Sequence, residues 1–476
     1  MKLQLLTCKD YTKFNHTIVL IDDVHILSDL GLDKAELLAA KAHFDNKVSN
    51  TWQKVDGLNS TSIVKLDAGK AEFYTFETAR KAGYSLNKFL NGLKAKEASV
   101  YNASPNNLTI PFVEGLALTN YEFLKYKTKD AKPKTLAKLH VDARSAEKAE
   151  LDEVSKLVEA NFFSRDLVNE PLSYLTAVQL SKDIAKAGKQ YGFKTTVFDK
   201  KKITALKMGG LLSVNKGSVD PPTFTILEYK GTKAKNAKPI VLVGKGVVYD
   251  TGGLSLKPTG NSMDMMKCDM AGAAAVAGIF AAVAQLKLPI NIVGLIPATD
   301  NRPGGNAYVP GDVVTMMSGL NVEMLNADAE GRMILADALH YAKQYKPELV
   351  FDFATLTGAA KAAIGGVASV YMGTADKGVK EKVEASANNT YERVVEFPMW
   401  DEYGEMIVSE VADIKNIGGP EGGAITAGKF LEHFTDYPWL HFDIAGPAYS
   451  LKEDSYRGKF GTAYAVRMVT DFLKNY

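Results

Sequence analysis

Only two cysteines, Cys8 and Cys268, occur in 476 residues, so no disulfide framework stabilises the fold. A large charge of one sign is missing too: 57 basic and 55 acidic side chains leave a formal charge of +2. That balance gives no general attraction to nucleic acid or to an anionic membrane surface. No apolar run approaches the roughly 18 residues a membrane helix needs, and the alanine-rich stretch 271–286 suits a buried helix better. The N-terminal MKLQLLTCKDYTKFNHTIVLIDD meets lysine, aspartate and asparagine too soon for the apolar centre of a secretory signal. Internal repeats and low-complexity tracts are absent as well. Together these absences predict a cytoplasmic globular protein without a membrane partner.

What is present is an apolar share of 46% and a length that favours two or three domains. Up to about residue 130 short apolar runs alternate with polar stretches. HTIVLIDD (16–23) and SIVKLDAG (62–69) read as strands, and Asp33–Phe44 has helical spacing. The lysine-rich KYKTKDAKPKTLAKLH (125–140) reads as a crossing between domains, and Ser145 to Leu167 as a long linker helix. From about 170 onward strands and helices alternate. The strands are 223–230, 239–246, 290–299, 348–358 and 439–446; helices cover 271–286, 331–345 and 426–434, and a last one closes the chain. Such alternation predicts an α/β fold with a mostly parallel sheet flanked by helices. The expected division is a smaller N-terminal α/β domain over 1–144, a linker helix over 145–168 and a larger C-terminal α/β domain over 169–476. Ligands bind beyond the carboxyl ends of such strands, which points to Lys245–Asp250, Thr355–Gly358 and Ala445–Ala448.

Two segments carry the chemistry. VGKGVVYDTGGLSLKPTGNSMDMMKCDMAGAAAV (243–276) places Lys245 and Asp250 past a strand, Lys257 in a glycine-rich turn and Asp269 before a helix. NADAEGRMILADAL (326–339) puts Asp328, Glu330 and Arg332 before another helix. Gathered in a partly dry cleft, the four carboxylates would repel one another. Divalent cations relieve that repulsion, and four carboxylates suffice to bridge and flank two ions. Glycines at 244, 246, 252 and 253 would let backbone approach a ligand closely. Lys257 and Arg332 could face negative charge developing on a substrate. Read singly, each residue has an ordinary explanation: Asp269 as a helix cap, Asp328 and Glu330 as complements of a helix dipole, Arg332 as a surface ion-pair partner. Oxygen ligands by themselves favour magnesium or manganese over zinc.

The two segments together closely resemble the signatures of the leucyl aminopeptidase family, peptidase family M17. The resemblance extends through RDLVNEP (165–171), NAYVPGD (306–312), DFATLTGA (352–359), ADIKNIGG (412–419) and HFDIAGPA (441–448). It implies a macro-like N-terminal domain, a C-terminal peptidase domain, and a two-metal aminopeptidase releasing N-terminal residues, leucine and other apolar ones preferred. Carried over position by position, Lys245, Asp250, Asp269 and Glu330 match the ligands of the tighter ion. Asp250, Asp328 and Glu330 match those of the exchangeable one. The ions would be zinc or manganese, with magnesium an option at the exchangeable site. Lys257 and Arg332 match the catalytic pair, the arginine holding a bicarbonate ion as general base and the lysine stabilising the oxyanion. Met266, Thr355, Gly358, Ala445 and Ala448 match the first side-chain pocket. The family also implies peptide substrates and a homohexamer.

Alanine stands at 327 where the family usually has threonine, and Tyr249 where phenylalanine is frequent; neither is a transferred ligand. Gly423–Lys429 imitates part of a phosphate-binding loop, but Phe430 occupies the Ser/Thr position and no strand leads into it. Two rival readings remain: a two-metal phosphoesterase, and a DNA-binding role, which the near-neutral charge does not favour. Cysteinylglycine cleavage would be the same chemistry on another substrate.

Overall fold

Strands rich in β-branched and apolar residues build the first sheet of the protein, seen in a computed structural model that describes residues 3–67, 71–129 and 131–476. They are β1 (Gln4–Cys8), β2 (His16–Ile21), β3 (Thr51–Asp56), β4 (Asn59–Lys65), β5 (Glu97–Asn102) and β6 (Lys138–Asp142), ordered β1-β6-β5-β2-β4-β3. Helix Lys34–Asp45 begins with a capping box, in which the Asp33 side chain accepts from the Glu36 N–H and Glu36 answers at the Asp33 N–H. Residues 68 and 69 of the expected 62–69 strand, and Asp130 of the 125–140 stretch, lie outside the described residues. The 125–140 stretch does not end as a crossing. Its last residues enter β6, which pairs in parallel with both β1 and β5. Polar Lys138 and His140 alternate there with buried Leu139 and Val141, a short period-two signal that the lysine content masks.

This unit takes in residues 1–162 and the distant segment 452–458, whose Tyr456 hydroxyl donates to Glu77 at 2.7 Å. The second unit holds 163–451 and 459–476. Helix Lys148–Asn169 carries the chain from one into the other.

In the second unit the strands run β7 (Lys194–Phe198), β8 (Thr223–Lys230), β9 (Ile240–Gly244), β10 (Gly246–Asp250), β11 (Asn291–Asn301), β12 (Asp312–Thr315) and β13 (Asn321–Met324). After these come β14 (Leu349–Ala354), β15 (Ser369–Gly373), β16 (Val394–Glu396), β17 (Ile414–Lys415) and β18 (Trp439–Asp443). The main sheet is ordered β16-β15-β18-β14-β9-β11-β8-β7 with β10 beside β11, while β12, β13 and β17 form a small sheet of their own. Its centre, from β18 through β14 and β9 to β11 and β10, is parallel; β8 and β15 join antiparallel. The fold is α/β, with mixed sheets flanked by helices. All carboxyl ends of the central strands therefore emerge at one edge.

Helix Ala271–Leu286 is buried along most of its length, as expected of a small-residue helix packed on a sheet. Taken with the turn before it, Met263–Leu286 is long and apolar enough to cross a membrane by composition, which corrects the expectation that no such run exists. Inside this fold it is a core helix. Gly244 and Gly272 explain the packing: a Cβ on Gly272 would come 1.9 Å from the Phe353 carbonyl, and one on Gly244 would come 2.6 Å from the Gly272 carbonyl. Gly244 thus serves helix–strand contact rather than ligand approach.

Asp337, on helix Glu330–Ala342, is fully buried and accepts from the Leu211 N–H at 3.0 Å and the Met317 N–H at 2.9 Å. Burial pushes its carboxyl up to about 7, although the backbone donors oppose the shift. A folded-state value above the unfolded one means that the fold binds the proton more tightly, so this group's contribution to stability declines as pH rises from about 4 to about 7. Asp337→Ala should cost about 2–4 kcal/mol near pH 5, because two buried N–H groups lose their acceptor. Urea melts should show that difference narrowing toward pH 8, since the wild type alone bears the cost of ionisation.

Candidate active site

The site is assembled where the central strands end. Lys245 follows β9, Asp250 closes β10, Asn301 closes β11, Thr355 follows β14 and Asp443 closes β18. Asp269 precedes helix Ala271–Leu286, and Asp328 precedes helix Glu330–Ala342, whose first residue is Glu330. Both carboxylates lie near positive helix ends, yet neither helix has a side-chain cap. The Asp269 side chain instead turns to Lys245 and Thr355, with Oδ1 at 2.8 Å from Lys245 Nζ and 2.8 Å from Thr355 Oγ1.

The carboxylates interleave with the two lysines. Lys245 Nζ lies 2.8 Å from Asp269 and 2.9 Å from Glu330, and it donates to the Thr355 carbonyl at 2.9 Å. Lys257 Nζ lies 2.9 Å from Asp250 Oδ2 and also contacts Asp328. Oxygens of Asp250, Asp328 and Glu330 come within 4.8 Å of one another. Burial alone would lower the Lys245 pKa, but Asp269, Glu330 and Asp250 outweigh it and hold the ammonium above its ordinary range. Lys257 is held up in the same way, by Asp250, Glu330 and Asp328 against burial. On the acidic side, burial followed by the charges of Asp250 and Glu330 raises Asp328 to about 7. Burial raises Asp269 and Glu330 as well, against the pull of Lys245.

Two buried oxygens, Asp269 Oδ2 and Glu330 Oε2, have no hydrogen-bond partner among the described residues. A carboxylate oxygen withdrawn from water without a donor is costly, and a divalent cation is what satisfies several such oxygens at once. The donor set of four carboxylates and one buried amine therefore fits divalent metal. Gly331 leaves room for that amine: a Cβ there would sit 2.5 Å from Lys245 Cε.

Arg332 is buried, which lowers its pKa to about 10, with Glu330 and Asp443 opposing the shift. Its Nη1 donates to the Asn416 carbonyl at 2.8 Å, while Nε has no partner among the described residues. A cavity of about 300 Å³ opens over these groups. Lys245, Asp250, Lys257, Asp269, Asp328, Glu330 and Arg332 all line it, with Met266, Thr355, Gly358 and Ala445. Ala448 is buried and is not among the lining residues.

Several supporting residues escape a reading by motif. Asn301 Nδ2 donates to Asp250 Oδ1 at 2.8 Å and to the Ala327 carbonyl at 2.9 Å, fixing one carboxylate and one loop together. Asn416 Oδ1 accepts from the Leu325 N–H at 2.8 Å, and its Nδ2 donates to the Asn326 carbonyl at 2.8 Å. Asp443 accepts from the Leu356 N–H at 3.1 Å, the Ala445 N–H at 3.2 Å and the Thr357 hydroxyl at 2.6 Å. The available signal was a polar residue ending an apolar strand. His441 offers no alternative base: it is fully buried and its Nδ1 lies 2.6 Å from Asp352. Lys429, from the phosphate-loop imitation, is paired with Glu432 at 2.6 Å within a helix whose Phe430 is buried.

Known proteins give the arrangement its place. A model described as the catalytic domain of the cytosol aminopeptidase family matches residues 162–470, and one for that family's N-terminal domain matches 48–130. A probable cytosol aminopeptidase of Chlorobaculum tepidum is 43% identical over 460 residues, covering 90% of this chain and 89% of the relative. One from Geobacter sulfurreducens is 43% identical over 428 residues, covering 88% and 86%. Among solved structures, the bottromycin maturation enzyme BotP in complex with Mn superposes with a TM-score of 0.85 at 29% identity, covering 97% of this chain and 99% of that one. With the carboxylate–lysine cluster at the sheet edge and both domain models matching in order, the chain belongs to the cytosol aminopeptidase family, the metallo-exopeptidases that hydrolyse peptides from the N-terminus.

Proposed function

We propose that the protein is a two-metal aminopeptidase that releases leucine and other apolar residues from peptide N-termini. The observation that carries this reading is the gathering of Asp250, Asp269, Asp328 and Glu330 in one cavity, with buried oxygens of Asp269 and Glu330 unpartnered. Lys245, Asp250, Asp269 and Glu330 would hold one ion, and Asp250, Asp328 and Glu330 the other. Manganese, present in the BotP structure, and zinc both suit a site that mixes an amine with carboxylates. When bound, such ions supply Lewis acidity toward water and the scissile carbonyl, and a bicarbonate held by Arg332 supplies a proton acceptor.

The chain's own residues do the rest. Lys245 can donate an electron pair only after losing its proton, so cation binding releases that proton and weakens in acid. Lys257, held protonated by its acidic neighbours, faces the oxygen on which negative charge develops. Arg332 is held by Asn416 with its Nε left to bind an anion. One bound ion would receive the substrate's free, unprotonated α-amine, which favours an unblocked N-terminus, and Met266, Thr355, Gly358 and Ala445 offer a mainly apolar wall to the first side chain. A cytoplasmic location belongs to the same reading.

The metal-loaded protein should hydrolyse leucine p-nitroanilide and leave the Nα-acetylated substrate intact. Equal rates on both would sink the exopeptidase reading, whereas cleavage of a phosphodiester alone would favour the phosphoesterase.

A further inference from the structure

Lys361 is the lining lysine that stands apart from the carboxylate cluster. Lys245 and Lys257 are each paired with two carboxylates. The Lys361 side chain makes no hydrogen bond or ion pair among the described residues, and the residue is exposed at the cavity. It sits on helix Gly358–Ile364, three residues after Gly358 and therefore on the same helical face, about 5–6 Å further along. Met265, Met266 and Cys268 line the same cavity, so the Lys361 ammonium shares one space with the residues that would receive the first side chain.

We propose that Lys361 is a specificity-determining residue that lets the enzyme accept an acidic first residue, glutamate in preference to aspartate. This rests on the aminopeptidase reading above. A leucine side chain ends against Met266 and Gly358, short of the ammonium. A glutamate side chain is longer, and its carboxylate meets Lys361 at the cavity mouth. The flexible four-carbon stem lies along apolar surface and swings aside for an apolar substrate, so the two preferences coexist. Aspartate, one methylene shorter, gains less. The shared chemistry is a substrate carboxylate. The first side chain is the source favoured here, because Lys361 shares a helix face with Gly358; the free C-terminus of a short peptide is the other.

The test compares kcat/KM for glutamyl, glutaminyl, aspartyl and leucyl p-nitroanilides, none of which has a free C-terminus, in wild type, Lys361→Met, Lys361→Arg and Lys361→Glu. The glutamyl-to-glutaminyl ratio should fall roughly twofold to fivefold in Lys361→Met, the range of a solvent-exposed ion pair. It should be retained largely in Lys361→Arg and fall further in Lys361→Glu. The wild-type ratio should also shrink with added salt. A ratio unchanged in Lys361→Met, with leucine still released, overturns the role of Lys361 and leaves the aminopeptidase reading standing. So does a loss confined to Leu-Gly relative to its C-terminal amide, which would assign the cation to the peptide C-terminus. No release of any first residue by metal-loaded protein would remove the underlying reading, and this inference with it.

Discussion

Asp269→Ala should lower kcat/KM for leucine p-nitroanilide by at least about a thousandfold, as expected when an ion that activates the reacting groups loses a ligand. Asp269 is 3% exposed, and its Oδ1 is committed to Lys245 and Thr355 while Oδ2 remains unpartnered. Removing it strips one of the four donors proposed for the tighter ion and leaves Lys245, Asp250 and Glu330 to hold it. The metal-free variant should still fold, since the deletion also relieves repulsion among buried carboxylates. The decisive contrast is thermal. Saturating manganese or zinc should raise the Tm of wild type, because a ligand bound only by the native state stabilises it, and should raise that of the variant much less. Wild-type activity, or an equal Tm rise, in Asp269→Ala would contradict the ligand assignment.

Asp443→Ala should lower kcat/KM by about a hundredfold through the misplacement of groups it never exchanges with substrate. Its carboxylate ties Leu356, Thr357 and Ala445 together, and so joins the turn after β14 to the turn after β18. The first of these turns carries Thr355, whose carbonyl holds Lys245 and whose hydroxyl holds Asp269. Alanine leaves three donors without an acceptor, at a cost of about 2–4 kcal/mol of stability. The substitution Asp443→Asn keeps one acceptor oxygen and should recover much of the stability and part of the rate. Steady-state kinetics and urea melts on the two variants separate positioning from simple unfolding. An alanine variant within threefold of wild type would show that the turns are held by other means.

Much of this was legible in the residues. The small-residue run 271–286 became a helix over those same residues, because its composition leaves a packed core as the alternative to solvent. The strands at 223–230 and 290–299 were visible as continuous apolar runs, the signature of a sheet covered on both faces. The antiparallel entry of β8 and β15 was not visible, since strand direction leaves no trace in local periodicity. Nor was β10, whose short GVVYD run was placed only as lying past the strand at 239–246. The cluster of Lys245, Asp250, Asp269, Asp328 and Glu330 could be named but not assembled from spacing, because the pieces come from elements far apart in the chain. The ties made by Asn301, Asn416 and Asp443 were hidden for a related reason: a polar residue at a strand end reads as a turn residue until its partners are known. Gly244 was misjudged similarly, since close packing of a helix and close approach of a ligand demand the same absent side chain.

The central claim is that these carboxylates and Lys245 hold two divalent ions on which hydrolysis depends. The measurement that tests it most directly is a titration of metal-stripped protein with manganese or zinc, reading bound metal and leucine p-nitroanilide hydrolysis in the same samples. The account predicts no hydrolysis by stripped protein, and activity that rises as binding proceeds to two ions per chain. Full activity in protein shown to be free of metal would contradict it.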